Sequence, residues 1–413
     1  EALPEVFPEA LPGAPAGAAA SGSGQELVDG PPDSDFLIGL TSGTSSVPKA
    51  FSRSRASWRD SFELSIPFFR LGREDVTLAP GPLSASVNLY ALAECLYAGS
   101  PLYLLPEFGV AAAAAAIRRV RPTRLVLVPV MLKMLAERGL AEGATADGLR
   151  TVVCAGAKLD PQTAALARRW APNAVLMEYF GASELGFIAA AAAPAGAGAA
   201  PVRPAASATG SHGAATAVGP AFPTVQISIR DESGHALPPG TPGTIHVCST
   251  LVSNGYLWGD DGNAFARDGS WCTVQDRGYL DPDGTLHVQG RASDMLLCGG
   301  HNVYPQEIEA VLAGVDGVGA AVVTGRADGA RGAKILAAVL PSAPLPAGLP
   351  AAPLPAGLAA ALRTAADAGL PRYKRPHAYY ALAQLPATGA GKTSRELLGR
   401  WIAEGDGRVR RLP

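Results

Sequence analysis

A surplus of positive charge is the first thing missing. The 413 residues hold 34 Lys and Arg against 36 Asp and Glu, a formal net charge of −2. No Lys/Arg cluster and no interleaving of aromatic with basic residues appears, so nothing neutralises a phosphodiester backbone and nucleic-acid binding is not expected. Cysteine is scarce as well. Cys95, Cys154, Cys248, Cys272 and Cys298 are odd in number, lie far apart and show no CxxC or His-paired spacing. That argues against a disulfide framework or a zinc site and for reduced, buried thiols in a cytoplasmic protein. The six histidines show no metal spacing and no nucleophile partner, and most are expected on the surface or in loops. Long apolar runs are absent too: "LYALAECLYAGSPLYLLP" (89–106) is broken by Glu94, Gly99, Pro101 and Pro106, which excludes it as a membrane span. The opening "EALPEVFPEALPGAPAGAAASGSGQ" lacks a Met, a basic region and an apolar stretch. It reads as a Pro/Ala/Gly linker or the raw start of a fragment, not a signal peptide.

What is present is an alternation. Apolar residues make up 48% of the chain, enough for two domains with real cores. "DFLIGL" (35–40) reads as a buried strand and 56–69 as a helix. Then "SPLYLLP", "TRLVLVPV" and "LRTVVCAGA" read as strands, with helical "VAAAAAAIRRVRP" and "VMLKMLAERG" between them. Such interleaving predicts an α/β fold with doubly wound, mostly parallel sheets covered on both faces. Ligands collect at the carboxyl ends of strands in such sheets, where "TSGTSS", "CAGAKLD" and "EYFGASE" fall. The run 190–216, rich in Ala, Gly and Pro, reads as a solvated loop. Short β runs with turn signals follow from about 218 and predict a β-rich subdomain over 218–290. From 291 to 413 the pattern becomes a small α+β module. The expected division is 1–34 as linker or truncated remnant, 35–290 as a large domain and 291–413 as the C-terminal domain.

"TSGTSSVPK" (41–49) concentrates small donors and one cation. Close backbone approach, free N–H groups, hydroxyls and a lysine together suit phosphate. The spacing is not that of a Walker A loop, because Pro48 precedes Lys49 and no second Gly stands before it. A polar linker between strand and helix accounts for the composition equally well.

Four stretches in fixed order carry more: "TSGTSSVPK"; "YFGASE" (179–184); 273–294 with "GGHNVYPQEIE" (299–309); and "PRYKRPHAYYALAQLPATGAGKTSR" (371–395). Together they resemble the ANL superfamily of adenylate-forming enzymes, which includes acyl-CoA synthetases, carrier-loading adenylation domains and luciferases. The match covers nearly everything from residue 36 onward. The resemblance implies ATP-dependent activation of a carboxylic acid to an acyl-adenylate, then transfer to the thiol of CoA or of a carrier-protein pantetheine, with Mg²⁺. It also implies that the C-terminal domain is a mobile lid.

Residue by residue, it implies that Thr41, Ser42, Gly43, Thr44, Ser45 and Lys49 wrap the β- and γ-phosphates, with Thr44 in a catalytic role. Gly156, Ala157, Phe180, Gly181 and Ala182 would line the nucleotide and acid site, Phe180 stacking on adenine where the family usually has Tyr. Ser183 would touch the α-phosphate, and Glu184 would ligate Mg²⁺. Asp276 would bind the ribose hydroxyls, although the usual Thr-Gly before it is Val274-Gln275 here. Arg291 would meet ribose or phosphates. Gly299 and Gly300 would line the pantetheine path, and Ser293 stands at the hinge position. Lys392 would reach both the attacking carboxylate and the α-phosphate. "GAGKTS" also looks like the end of a Walker A, but Pro386 stands where its first Gly belongs.

Only 40 residues precede the phosphate loop, fewer than the family has, so a fragment, a short variant or a complementing chain is expected. The acid pocket is expected from 81–92, 153–158 and the surroundings of Gly181, which are small or apolar and suit an alkyl or aryl tail. No carboxylate stands in the first stretch before Glu94, so an α-amino acid lacks a partner for its ammonium. The wording resembles small bacterial fatty-acid-type CoA ligases. A stand-alone carrier-loading enzyme and a non-catalytic nucleotide-binding remnant are the alternatives.

Overall fold

The computed structural model describes residues 30–41, 49–193, 217–260, 264–291, 294–298, 301–329, 332–342, 357–386 and 393–413. Its centre is a six-stranded sheet in the order Leu102–Leu104, Thr77–Ala79, Arg124–Leu127, Thr151–Cys154, Val175–Ala182, Gly186–Ala193. The first five run parallel and the last turns back antiparallel on Val175–Ala182. Successive side chains feed opposite faces, as the two-residue strand period demands. Leu125, Leu127, Val152, Cys154 and Leu176 enter one buried cluster, while Val126, Val153 and Met177 enter the other. Each such burial contributes about 1.5–3 kcal/mol, so the strands are held from both sides and their carboxyl ends are fixed in space.

The helices have local reasons to start where they do. Asp160 accepts from the Thr163 N–H at 2.9 Å and Pro161 opens helix Pro161–Trp170, while Ser54 caps Arg55–Phe68 through the Ser57 N–H at 3.1 Å.

Two expectations are corrected. Asp35–Thr41 is a strand, but it pairs antiparallel with Lys49–Ser54 at the edge of a separate three-stranded sheet completed by Gly255–Trp258. Phe36, Ile38 and Leu40 are 52%, 55% and 67% exposed, so the apolar run is not buried. Its other face packs, with Gly39 directly against the Phe51 ring. Residues 190–193, read as loop, continue strand Gly186–Ala193. Alanine carries no strand preference of its own; cross-strand pairing such as Met177 with Ala192 fixes it instead.

A seven-stranded sheet forms from the β runs between Ala217 and Arg291. Further on, Val318–Ala327, Ala333–Pro341, Ala378–Leu382 and Val409–Arg411 make a four-stranded sheet, packed by helices Pro305–Ala313, Leu358–Gly369 and Arg395–Glu404. Lys133 Nζ and Gln162 Nε2, on helices beside the central sheet, donate to the carbonyls of Val318 and Gly314. Arg395 bonds Asp294 and Glu309 at 2.8 Å each, and burial pushes the Glu309 carboxyl up from its ordinary pKa despite that arginine. Cys95, Cys154, Cys272 and Cys298 are buried free thiols and Cys248 is half-buried. No helix among the described residues is long and apolar enough to cross a membrane.

Candidate active site

Thr41 and Lys49, the described residues on either side of 42–48, are cross-strand partners. Ser42, Gly43, Thr44 and Ser45 lie outside the described residues, as do Ser293, Gly299, Gly300, Lys392 and the Thr41 side chain. Lys49 is buried, its Nζ 3.9 Å from Asp260 and 5.8 Å from the centre of the Tyr256 ring.

Tyr256 connects this hairpin to the next element. Its hydroxyl donates to Oε1 of Glu184, which is buried in the turn between strands Val175–Ala182 and Gly186–Ala193. Arg53, further along the same strand Lys49–Ser54, donates to Ser183 O at 3.1 Å and to Leu251 O. Burial brings its pKa down to about 10 while Tyr90 and Glu184 act to raise it. A cation clamped on two carbonyls therefore fixes the position of Ser183 and Glu184. Phe180, Ala182 and Ser183 are half-buried and Gly181 is exposed. Gly181 has to be glycine: a Cβ there would fall 2.4 Å from the Gly186 carbonyl oxygen.

Asp276 and Arg291 face each other across an antiparallel pair, with Arg291 Nε donating to Asp276 Oδ1 at 3.2 Å. Burial opposes the Arg291 charge, but Asp276, Glu184 and Asp294 together outweigh it and hold the guanidinium above its ordinary pKa. Gln275, where the family has glycine, adopts a left-handed φ of 64°. A left-handed backbone that glycine adopts without steric cost is thus occupied here by glutamine.

Gly156 and Ala157 are exposed just past the carboxyl end of Thr151–Cys154, Gly156 with a φ of 80° that L side chains rarely adopt. Glu178 pins the following residues, accepting from the Leu159 N–H at 2.7 Å and from Lys158 Nζ. Burial raises the Glu178 pKa against the pull of that lysine. The stretches expected to hold the acid also converge. Val87, Tyr90 and Ala91, Val153, and Tyr179 with Phe187 surround one cavity of about 10 Å³.

The structure brings Lys49, Ser183, Glu184, Asp276 and Arg291 into one electrostatic neighbourhood. Sequence reading missed Arg53, Tyr256 and Asp260; the one local signal was the Asn254-Gly255 turn ahead of a short aromatic strand. His287 is also not the surface residue expected of most histidines. It is buried, stacked on Tyr279 at 4.4 Å and bonded to Asp281 at 3.1 Å.

Magnesium prefers one or two carboxylates beside phosphate oxygens. Glu184 fits, because Tyr256 occupies Oε1 and Oε2 meets no donor among the described residues. No group of three or more His, Cys, Asp and Glu able to hold a metal occurs among them.

A mostly parallel sheet ending in a carboxylate-bearing turn, beside a second sheet that supplies an Asp–Arg pair, is the arrangement of an adenylate-forming fold. The chain belongs to the AMP-binding enzyme family, whose description matches residues 5–257; the AMP-binding enzyme C-terminal domain matches 307–392. An uncharacterized acyl-CoA ligase YhfT of Bacillus subtilis (strain 168) is 31% identical over 374 residues, 90% of this chain and 70% of that protein. Indoleacetate–CoA ligase of Aromatoleum aromaticum is 31% identical over 379 residues, covering 90% and 68%. Among solved structures, the amide bond synthetase McbA of Marinactinospora thermotolerans is 30% identical with a TM-score of 0.70, covering 90% of this chain and 70% of that one. ATP-bound MatB of Rhodopseudomonas palustris, at 24% identity and a TM-score of 0.71, shares the fold over 91% and 69%.

Proposed function

We propose that the chain activates a carboxylic acid with ATP and passes the acyl group to the thiol of CoA, as an acyl-CoA synthetase. The observation that carries this reading is the electrostatic grouping of Glu184, just past the carboxyl end of strand Val175–Ala182, with the Asp276–Arg291 pair of the seven-stranded sheet, and its link through Tyr256 to Lys49. The relatives named as acyl-CoA ligases support the same acceptor.

In the first half-reaction the substrate carboxylate attacks the α-phosphorus of ATP, and pyrophosphate leaves with the electrons of the broken P–O bond. Asp276, held by Arg291, would accept from the ribose hydroxyls. Phe180 would stack on the adenine and Ser183 would donate to the α-phosphate. Magnesium, when bound, supplies charge neutralisation on the phosphates, and Glu184 would hold it. Lys49 and the backbone and hydroxyls of 41–45, Thr44 among them, would cradle the departing pyrophosphate. Lys392 would stabilise the charge that shifts between carboxylate and phosphate, a contribution realised mainly in the transition state. In the second half-reaction the thiolate attacks the acyl carbon and AMP leaves. Residues 291–413 would act as a lid, with Gly299 and Gly300 beside the pantetheine. Gly156 and Ala157, held by the Glu178 anchor, would complete the floor beneath the reacting groups.

Acid-dependent ATP–pyrophosphate exchange over fatty, aryl and amino acids tests this, with CoA, a holo-carrier protein and an amine compared as acceptors. Exchange with fatty or aryl acids and thioester formation with free CoA are expected. Lys392→Ala is expected to lower exchange on the order of 10²-fold or more. A wild-type chain without exchange, indistinguishable from that variant, would mark a non-catalytic remnant.

A further inference from the structure

The cavity where the acid-pocket stretches meet has one charged wall. Its volume, about 10 Å³, has room for roughly one water-sized group, and Glu94 and Arg124 line it. Both are fully buried, 1% and 2% exposed. Arg124 Nη2 donates to Glu94 Oε2 at 2.6 Å, and Ser65 Oγ donates to Glu94 Oε1 at 2.6 Å. The Tyr90 hydroxyl joins Ser61 and Ser65 at 3.0 Å each. Glu94 is thus engaged at both oxygens, whereas Arg124 keeps Nε and Nη1 without any acceptor among the described residues.

A pair serving only to hold the core together would be an odd choice, since apolar residues of similar volume usually replace a buried ion pair at no loss of stability. Two buried nitrogens carrying three N–H groups with no acceptor among the described residues, on a residue that lines a space for one oxygen, suit recognition of an oxygen acceptor. The ligand's charge follows from the balance. Glu94 and Arg124 cancel, so a second carboxylate would bring an uncompensated buried charge, and an ammonium would find Glu94 already occupied. An uncharged acceptor satisfies the donors without disturbing either.

We propose that Arg124, held by Glu94, determines substrate specificity, selecting carboxylic acids whose tail carries an uncharged oxygen acceptor, a hydroxyl or ketone, over plain alkyl acids of equal length. This rests on the acid-activation reading above and names its substrate class. Sites built to bond a substrate oxygen discriminate strongly against analogues lacking it, because their own donors are then left unpaired.

The test compares straight-chain acids from acetic to octanoic with their matched ω-hydroxy, oxo and dicarboxylic counterparts in pyrophosphate exchange by the full chain. A kcat/KM at least tenfold higher for a hydroxy or oxo acid than for its alkyl match supports the proposal. Equal values, or a preference for the alkyl or dicarboxylic acid, overturn it. Arg124→Lys keeps the charge facing Glu94 but removes the spare donors, and should abolish the preference mainly through KM; a preference that survives it also overturns the proposal. The Glu94→Met/Arg124→Met double variant avoids an unpaired buried charge and should favour the alkyl acids. Thermal shift with the same acids and ATP reads binding without turnover. A hydroxy-acid preference there with no exchange upholds the pocket and sinks the activation reading, whereas no preference there sinks the pocket proposal whatever the exchange shows.

Discussion

Replacing Glu184 with Gln keeps its volume and its bond from Tyr256 but removes the charge that Arg53 and Arg291 both feel. If Glu184 holds the cation, Glu184→Gln should lower pyrophosphate exchange by roughly 10²–10³-fold while the melting temperature moves little. Exchange within a few-fold of wild type would remove Glu184 from the chemistry. At this scale the sequence pointed to residues that lie in short ordered stretches: Glu184 in "YFGASE", and Asp276 and Arg291 at the paired ends of strands Asp276–Leu280 and Leu286–Arg291. It did not point to Arg53 and Tyr256, for a physical reason. Arg53 acts on a carbonyl 198 positions away, and the contact exists only after Lys49–Ser54 pairs with Gly255–Trp258. A charge inside a short strand gives no local sign that it is buried.

The hairpin Val175–Ala182 with Gly186–Ala193 shows how an element places chemistry. Gly181 permits its backbone to approach the Gly186 carbonyl, and the tight crossing presents Ser183 and Glu184 at the end of the sheet. Gly181→Ala would force the two strands apart, at a cost of about 1–3 kcal/mol, as overpacking does. The expected result is a lower melting temperature together with a raised KM for ATP, measured on the same preparation; an unchanged KM would detach the hairpin from the nucleotide. Parallel strands announced themselves as short apolar runs between helical patterns, and most were read correctly. The alanine strand at 190–193 was not, because alanine marks neither period and only cross-strand partners decide its state. "DFLIGL" failed the opposite way: its apolar content named a strand, but burial depends on what covers each face, which a local pattern does not contain.

The molecule as a whole responds to pH through groups whose environment changes on folding. Burial holds the His246 imidazole below its ordinary pKa of 6.5, opposed by the Thr244 carbonyl. The unfolded chain therefore takes up this proton at a higher pH than the folded chain. Its contribution to stability is full above about 6.5 and is lost as the pH falls toward the folded value. Melting temperatures at pH 7.5 and pH 5 should differ less in His246→Gln than in wild type; an equal gap would assign the effect elsewhere. Sheet order and the docking of Lys133 and Gln162 onto Val318 and Gly314 were not readable in advance, since both depend on elements remote in sequence.

The bare side of strand Asp35–Thr41 has a practical outcome. Phe36, Ile38 and Leu40 stand out beside an outer row of backbone groups that meet no neighbouring strand among the described residues. Two molecules meeting there could zip together along that seam, so light scattering should rise with protein concentration and with added ammonium sulfate. Ile38→Lys should abolish the rise by placing like charges face to face, and turbidity that persists in that variant would move the adhesive region to another part of the surface.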